Sequence, residues 1–578
     1  MNQTLFTQKF ERTLDQLLGK YADGQHQGYQ LEAWLFEDEA NRREAEERFA
    51  AAGVMARLRS AYKPLVHAFL EEISLEQVES VAIRYPMLEL QPRRFLLEAY
   101  PLAALLSHVR LSWEATDRPD FSHEVILTLA DGTTRHQIVE APNRYHQDHI
   151  FTTQLSPCGW LCVMSATGEV ITDTAIQTDY EALFQSIMNH VMSHPWGDQI
   201  PLFEELNLSV TLPGADTKLA YDHEAISLHE ALHEEIYFSL LEYFQHRAGL
   251  PLGDRSLMPG QIVPEITAAP GDPTLTISLR PLNAEVIERP PVDLNLAPQA
   301  LGVKQIIQTL EQFRGEHFTA PTRSGRTVQA VYHPGSDAAV MISAAQHANE
   351  TSGIVGALRA ATELAKRDTA HFVISPLENP DGYAMQGRLI ATQPTHMHHA
   401  ARYTAFGNDL QNQLPGSGYE LSIREQASAL SHAGLHLNLH GYPAHEWTRP
   451  LTGYIPRGFE MWTIPKGFFL ILRHQNGWLE KGTELLHAVT KKLAQVPGLV
   501  EFNRRQIELF EIHAGELIFP MINGFPCLIS EDNQQLTPLM LITEYPDETL
   551  HDEAFIQAHT AQKATVLAAY DAWQQMNN

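Results

Sequence analysis

Beyond residue 300 the chain carries short, almost wholly apolar runs, AAVMISAA, HFVISPL, LHLNLHG and LMLITEYP, separated by helix-like stretches such as TSGIVGALRAATELAKR and REQASALSHAG. A run without polar alternation has to be covered on both faces, so these segments predict an α/β fold with a largely buried sheet. In such folds the side chains that do chemistry collect where strands end.

The first half reads differently. Leu, Ala, Glu and Arg at three-to-four spacing predict a helical region over 1–105, and alternating apolar and polar residues around DG and TG turns predict a small antiparallel β unit over 106–180. Residues 181–299 return to helical periodicity and then become dense in proline, which predicts a helical segment followed by a linker. The α/β domain is expected over 300–578.

The sequence has 41 Lys plus Arg against 70 Asp plus Glu, a formal charge of −29. That charge repels phosphate backbones and anionic membrane surfaces, so neither nucleic acid nor membrane is expected as a partner. Three cysteines are too few to staple a chain of 578 residues, and neither a signal-peptide core nor an apolar run of about 18 residues is visible. A cytoplasmic location is the expectation. The 29 histidines supply metal ligands or proton carriers in abundance.

Two motifs compete for a metal. HEALH, from His229 to His233, matches H-E-x-x-H, which sets two histidines on one helix face with Glu230 as a base, the arrangement of a zincin protease. No third ligand stands in a recognisable context downstream, and the alternative is an amphipathic helix whose His and Glu are solvated or paired with neighbours. The second motif is distributed. AAQHANETSG puts His347 and Glu350 between a strand and a helix, LHLNLHGY ends a buried strand at His440 with a glycine free to bend the chain away, and LMLITEYP puts Glu544 just past an apolar run. His, Glu and His with an open fourth position make a catalytic zinc set, and Glu544 can act as general base towards the attacking water. His396, His398 and His399 in THMHH offer a weaker second cluster.

These residues resemble the zinc metallocarboxypeptidases typified by carboxypeptidase A, also called funnelins. HANE at 347–350, LHGY at 439–442, ITEYP at 542–546 and the ENPDGYAMQGR turn at 378–388 are similar to that family's motifs, over less than half the chain. The resemblance implies an α/β domain with a mixed sheet and helices on both faces, one zinc ion held by His347, Glu350 and His440, Glu544 as general base and acid, Arg402 (or Arg388) polarising the substrate carbonyl, and a peptide or small amide as substrate. It also departs from the family. Where a G-x-D-x-N-R-N stretch carries an Asn and an Arg for the substrate's terminal carboxylate, this chain reads GNDLQNQ, with Gln411 and Asn412 in their place. The cation is missing, and weaker discrimination between a free C-terminus and its amide is expected unless an arginine such as Arg424 or Arg449 replaces it. Three alternatives stand beside the peptidase reading: an aspartoacylase-like hydrolase of N-acyl amino acids, a zincin centred on HEALH, and a metal-binding relative without catalysis.

Overall fold

The computed structural model describes residues 2–282, 288–412 and 416–577, without the side chains of Asn412 and Glu460. The second half is built on nine strands: β1 (Glu316–Pro321), β2 (Thr327–His333), β3 (Val340–Ala344), β4 (Phe372–Ser375), β5 (Leu435–Pro443), β6 (Phe469–His474), β7 (Met521–Ile522), β8 (Phe525–Glu531) and β9 (Leu539–Glu548). They lie in the order β1, β2, β4, β3, β5, β9, β6, β8, β7. The central strands β4, β3, β5 and β9 run parallel, and β6 joins β9 antiparallel, so the sheet is mixed.

Side-chain alternation assigns its two faces. Val340, Ile342 and Ala344 of β3 pack with Ile354 and Leu358 of the helix Ser352–Leu364 and with Phe555 and Ala558 of the helix Asp552–Asn577. Met341 points the other way, onto Val373 and Ala427 of the helix Ser422–Ser431. Helices therefore cover both faces. In β5 the same period sends Leu435, Leu437 and Leu439 into the large core, which leaves His436, Asn438 and His440 on the opposite face.

The first half departs from its sequence reading. Residues 1–105 contain strands at Gln3–Lys9, Gln30–Leu35, Met55–Ser60 and Val78–Pro86 beside their helices. Gln30–Leu35 pairs on one side with Met55–Ser60 and on the other with Gly159–Met164, burying Leu31, Ala33 and Leu35. That non-local pairing overrides local helix propensity. Residues 106–180 are for the same reason no separate antiparallel unit, because Arg110–Thr116 pairs in parallel with Val78–Pro86. The proline-rich stretch is no mere linker either: Gln261–Ala268 and Thr274–Arg280 join Gln3–Lys9 and Glu205–Leu212 in a four-stranded sheet. Pro264 is tolerated because its strand lies at the sheet edge.

The helix Leu228–Arg247, α1 here, is buried nearly all round. Its Leu232, Ile236 and Phe238 share an apolar cluster with Met397, Ala401 and Trp447, so the two halves have a common core. No described helix is long and apolar enough to cross a membrane.

Candidate active site

After β3 the chain turns at Ala345, whose φ of 50° is left-handed, and the residues up to Ser352 form the turn that carries His347 and Glu350. His440 reaches the same point from β5. His347 Nδ1 lies 2.8 Å from Glu350 Oε1, His440 Nδ1 lies 2.8 Å from Glu350 Oε2, and the two Nδ1 atoms are 3.1 Å apart. All three side chains are buried. Among the described residues they are the one group of three or more His, Cys, Asp or Glu whose ligand atoms lie within 4.8 Å of one another. Burial opposes ionisation of Glu350, but His347, His440 and Arg402 outweigh it and hold the carboxyl far below its ordinary range.

The strands run on past both His440 and Glu544, through Pro443 and Glu548, and in that pairing His440 stands opposite Glu544. Gly441 bends nothing. A Cβ there would collide with the Asp547 carboxylate, so glycine is required by close approach between neighbouring strands.

The sequence reading missed Asp409, whose signal lay in the G-x-D of GNDLQNQ. Its Oδ1 accepts from His347 Nε2 at 3.3 Å, from Gln346 Nε2 at 3.3 Å and from Gln411 N at 2.9 Å, and its Oδ2 accepts from Arg255 Nη1 at 3.4 Å. Burial works against its ionisation, but His347, Arg402 and Arg255 keep it a carboxylate. Because His347 Nε2 donates to Asp409, the lone pair on Nδ1 faces the cluster.

Glu544 lines the cleft above this cluster with Arg402, Arg255, Arg473, Tyr442, Trp447 and Trp462 among its neighbours. Burial and then the Glu350 charge push its carboxyl well up, while Arg402 and Lys466 pull it back. Lys466, which no sequence motif marked, is buried under the Tyr442 and Trp462 rings and donates to Met461 O at 2.6 Å. Burial brings its ammonium down to about 7. Arg402 Nη1 donates to Glu350 Oε1 at 2.9 Å, and Arg402 Nε has no hydrogen-bond partner among the described residues. Asn379 of the NPDG turn caps its helix by accepting from Gly382 N at 2.8 Å, and its amide donates to Arg402 O at 3.3 Å.

Other predicted residues stand away from this cleft. Arg388 is paired with Glu205 at 2.9 and 3.0 Å, and Arg449 with Glu242 at 2.6 and 3.0 Å; both guanidiniums are committed to carboxylates of the first half. Arg424 lies under the site, donating to Glu378 Oε2 from Nε at 2.8 Å and to Gln346 Oε1 at 2.7 Å. Gln411 does line the cleft. The Asn412 side chain lies outside the described residues.

The HEALH residues do not converge. His229 Nε2 donates to Leu212 O at 3.4 Å, whereas His233 packs edge-on against His398 with ring centroids 5.1 Å apart. His396 pairs with Asp216 at 2.6 Å, His398 with Gln393 O at 3.0 Å, and His399 with Glu234. Glu230 takes Met397 N at 2.6 Å and His445 Nε2 at 2.7 Å, so it ties α1 to the second half. Burial alone would lower His445, but Glu230, with Glu224 and Glu548 nearby, raises it to about 9. Burial opposes ionisation of Glu230, yet His445 holds it low. His445 lies above its unfolded value of about 6.5, so its contribution is complete below that pH and is lost as the pH rises through about 9. Glu230, lowered, contributes above the ordinary carboxylate range and loses its contribution as the pH falls. Glu230→Gln is therefore expected to destabilise the protein at pH 7 by about 3 to 5 kcal/mol, as for other broken buried pairs. In denaturant titrations the gap from wild type should narrow above pH 9.

Comparison with protein-family models and with curated proteins finds no match. Solved structures similar to part of the chain include a metallo-carboxypeptidase from Burkholderia cenocepacia, at 13% identity over 53% of this chain and 76% of that one, with a TM-score of 0.30. Another is a metallo-carboxypeptidase from Pseudomonas aeruginosa, at 12% identity over 52% and 74%, with a TM-score of 0.29. A third is an aspartoacylase family protein from Mesorhizobium loti, at 15% identity over 48% and 70%, with a TM-score of 0.25.

Proposed function

We propose that this protein is a zinc-dependent hydrolase of amide bonds, acting on a peptide or a small acyl amide. The observation that carries the reading is the convergence of His347 Nδ1, Glu350 and His440 Nδ1 at 2.8 to 3.1 Å, with Glu544 in register beside His440. Two imidazole nitrogens and one carboxylate, with an open side towards a cleft, fit zinc in a catalytic site. Asp409 supports that fit by fixing the His347 tautomer that presents Nδ1. A zinc ion held there supplies a Lewis acid that acidifies water and polarises a carbonyl, and its charge draws Glu544 towards the ionised form.

The chain's own groups do the rest. Glu544 accepts the proton of the attacking water and returns it to the leaving nitrogen as the C–N bond breaks. Arg402, held through Glu350 and through its carbonyl by Asn379, donates to the carbonyl oxygen as it becomes negative. Tyr442, Trp447 and Trp462 wall the cleft and keep bulk water from these charges. The first half contributes Arg255 and, through Glu234 of α1, the partner of His399.

Asp409→Asn is expected to weaken zinc binding about 10- to 100-fold, the usual cost of losing a partner behind a ligating histidine, which chelator competition would measure. The reading as a whole is tested by turnover of peptides and N-acyl amino acids before and after metal removal. Cleavage that disappears with the metal and returns with zinc supports it. Cleavage that survives complete metal removal rejects it.

A further inference from the structure

We propose that His399, positioned by Glu234 of α1, binds the substrate: its Nε2–H donates to an amide carbonyl in the acyl part, so the preferred substrate is a peptide and not a simple N-acyl amino acid. The proposal rests on the hydrolase reading for which part of the substrate is the acyl part. It also gives a role to the HEALH and THMHH segments, whose histidines do not converge.

The two segments meet along three contacts. Glu230 accepts from Met397 N at 2.6 Å, His233 packs edge-on against His398, and Glu234 Oε1 accepts from His399 N at 3.4 Å while Oε2 meets His399 Nδ1. Rings hold the same imidazole, which stands edge-on to Trp447 at 4.6 Å and to Phe238 at 4.7 Å between centroids. So fixed, His399 lines the cleft of Arg402 and Glu544, and its Nε2 has no hydrogen-bond partner among the described residues. Burial of the pair decides what that nitrogen carries. Burial and the Glu230 charge push the Glu234 carboxyl well up, and burial and Arg402 push the His399 imidazolium well down, so the pair is uncharged. Glu234 then donates from Oε2 to Nδ1 and accepts the backbone N–H at Oε1, which leaves the single ring proton on Nε2.

Arg402 belongs to the same short turn, and its N–H is accepted by His399 O at 3.0 Å. Where Arg402 donates to the scissile carbonyl, His399 faces the acyl part beside it. An uncharged N–H between aromatic walls suits an uncharged oxygen, and leaving it unpaired costs free energy. A peptide offers such an oxygen in the amide carbonyl one residue before the scissile bond, whereas an acetyl group offers none.

The test uses three acids and the purified full-length chain. N-acetylphenylalanine has an acetamide carbonyl and N–H, O-acetyl-3-phenyllactate keeps the carbonyl without the N–H, and 3-phenylpropanoate lacks both. Contacts of the carboxylate with a metal or with Arg402 are common to all three. Calorimetry should show the first two binding roughly 2- to 12-fold more tightly than the third, the range for one neutral hydrogen bond. His399→Leu should remove that difference, and His399→Gln, whose amide N–H reaches a similar point, should keep part of it. Glu234→Leu should reduce it, and Glu234→Gln, which still donates to Nδ1, should retain it. A melting curve identifies any variant that fails to fold, and the two His399 variants decide if Glu234→Leu does. Equal affinity of wild type for the three acids, absence of binding included, overturns the proposal, as does a difference that survives in His399→Leu. N-acetylphenylalanine binding tightly and O-acetyl-3-phenyllactate weakly would also overturn it, because His399 would then be an acceptor. Peptide turnover without the His399-dependent difference rejects this site and leaves the hydrolase. The difference without any turnover keeps the site and rejects the hydrolase.

Discussion

Glu544→Gln is expected to lower kcat by about 10²- to 10⁴-fold while the protein keeps its fold and its metal, because an amide cannot accept the proton of the attacking water. Folding should not suffer. Burial and Glu350 already push the Glu544 carboxyl well above its usual range, so ionising it costs the metal-free protein free energy that a neutral amide of the same shape does not require. Arg402 and Lys466 lie near enough to matter electrostatically, but neither depends on Glu544 for a close ion pair: Arg402 is bound to Glu350 and Lys466 to Met461 O. The measurement is kcat beside a melting curve and metal content. Near-normal kcat would make another carboxylate the base.

Arg402→Gln is expected to lower kcat about 10²- to 10³-fold with a smaller effect on KM, the usual result when one donor to a developing oxyanion is removed. Its position makes the test informative in a second way. Arg402 Nη1 is bound to Glu350, so the same change removes a cation from the ligand cluster and should raise the Glu350 pKa, making metal binding more sensitive to acid. Arg402→Lys keeps a charge without the planar fork and should recover metal binding better than kcat. Equal recovery of both would assign Arg402 a role in holding the cluster alone.

The four apolar runs that became β3, β4, β5 and β9 were legible because a strand covered on both faces leaves no polar alternation in its sequence. The three prospective ligands were legible for a related reason: a turn carries His347 and Glu350 three residues apart, and one strand brings His440. Arg255, Arg473 and Lys466 were not. Arg473 reaches the cleft because β6 lies beside β9, Arg255 because the first half docks on the second, and Lys466 lies buried against the Tyr442 and Trp462 rings; no local pattern encodes any of these relations. The same holds for Gln30–Leu35 and Met55–Ser60, whose composition favours helix and whose parallel pairing is a non-local event. HEALH is the opposite case. Its spacing matches a metal motif, but its helix is buried on nearly every side, where His229 and Glu230 have separate hydrogen-bond partners and His233 packs against the His398 ring.

The most direct test of the account is the zinc content of the purified full-length chain and of two variants, His347→Ala and the double variant His229→Ala with His233→Ala, measured with turnover on the same preparations. One zinc per wild-type chain is expected, with loss of stoichiometric zinc and of turnover in His347→Ala and zinc retained in the double variant. Zinc retained by His347→Ala and lost from the double variant would contradict it.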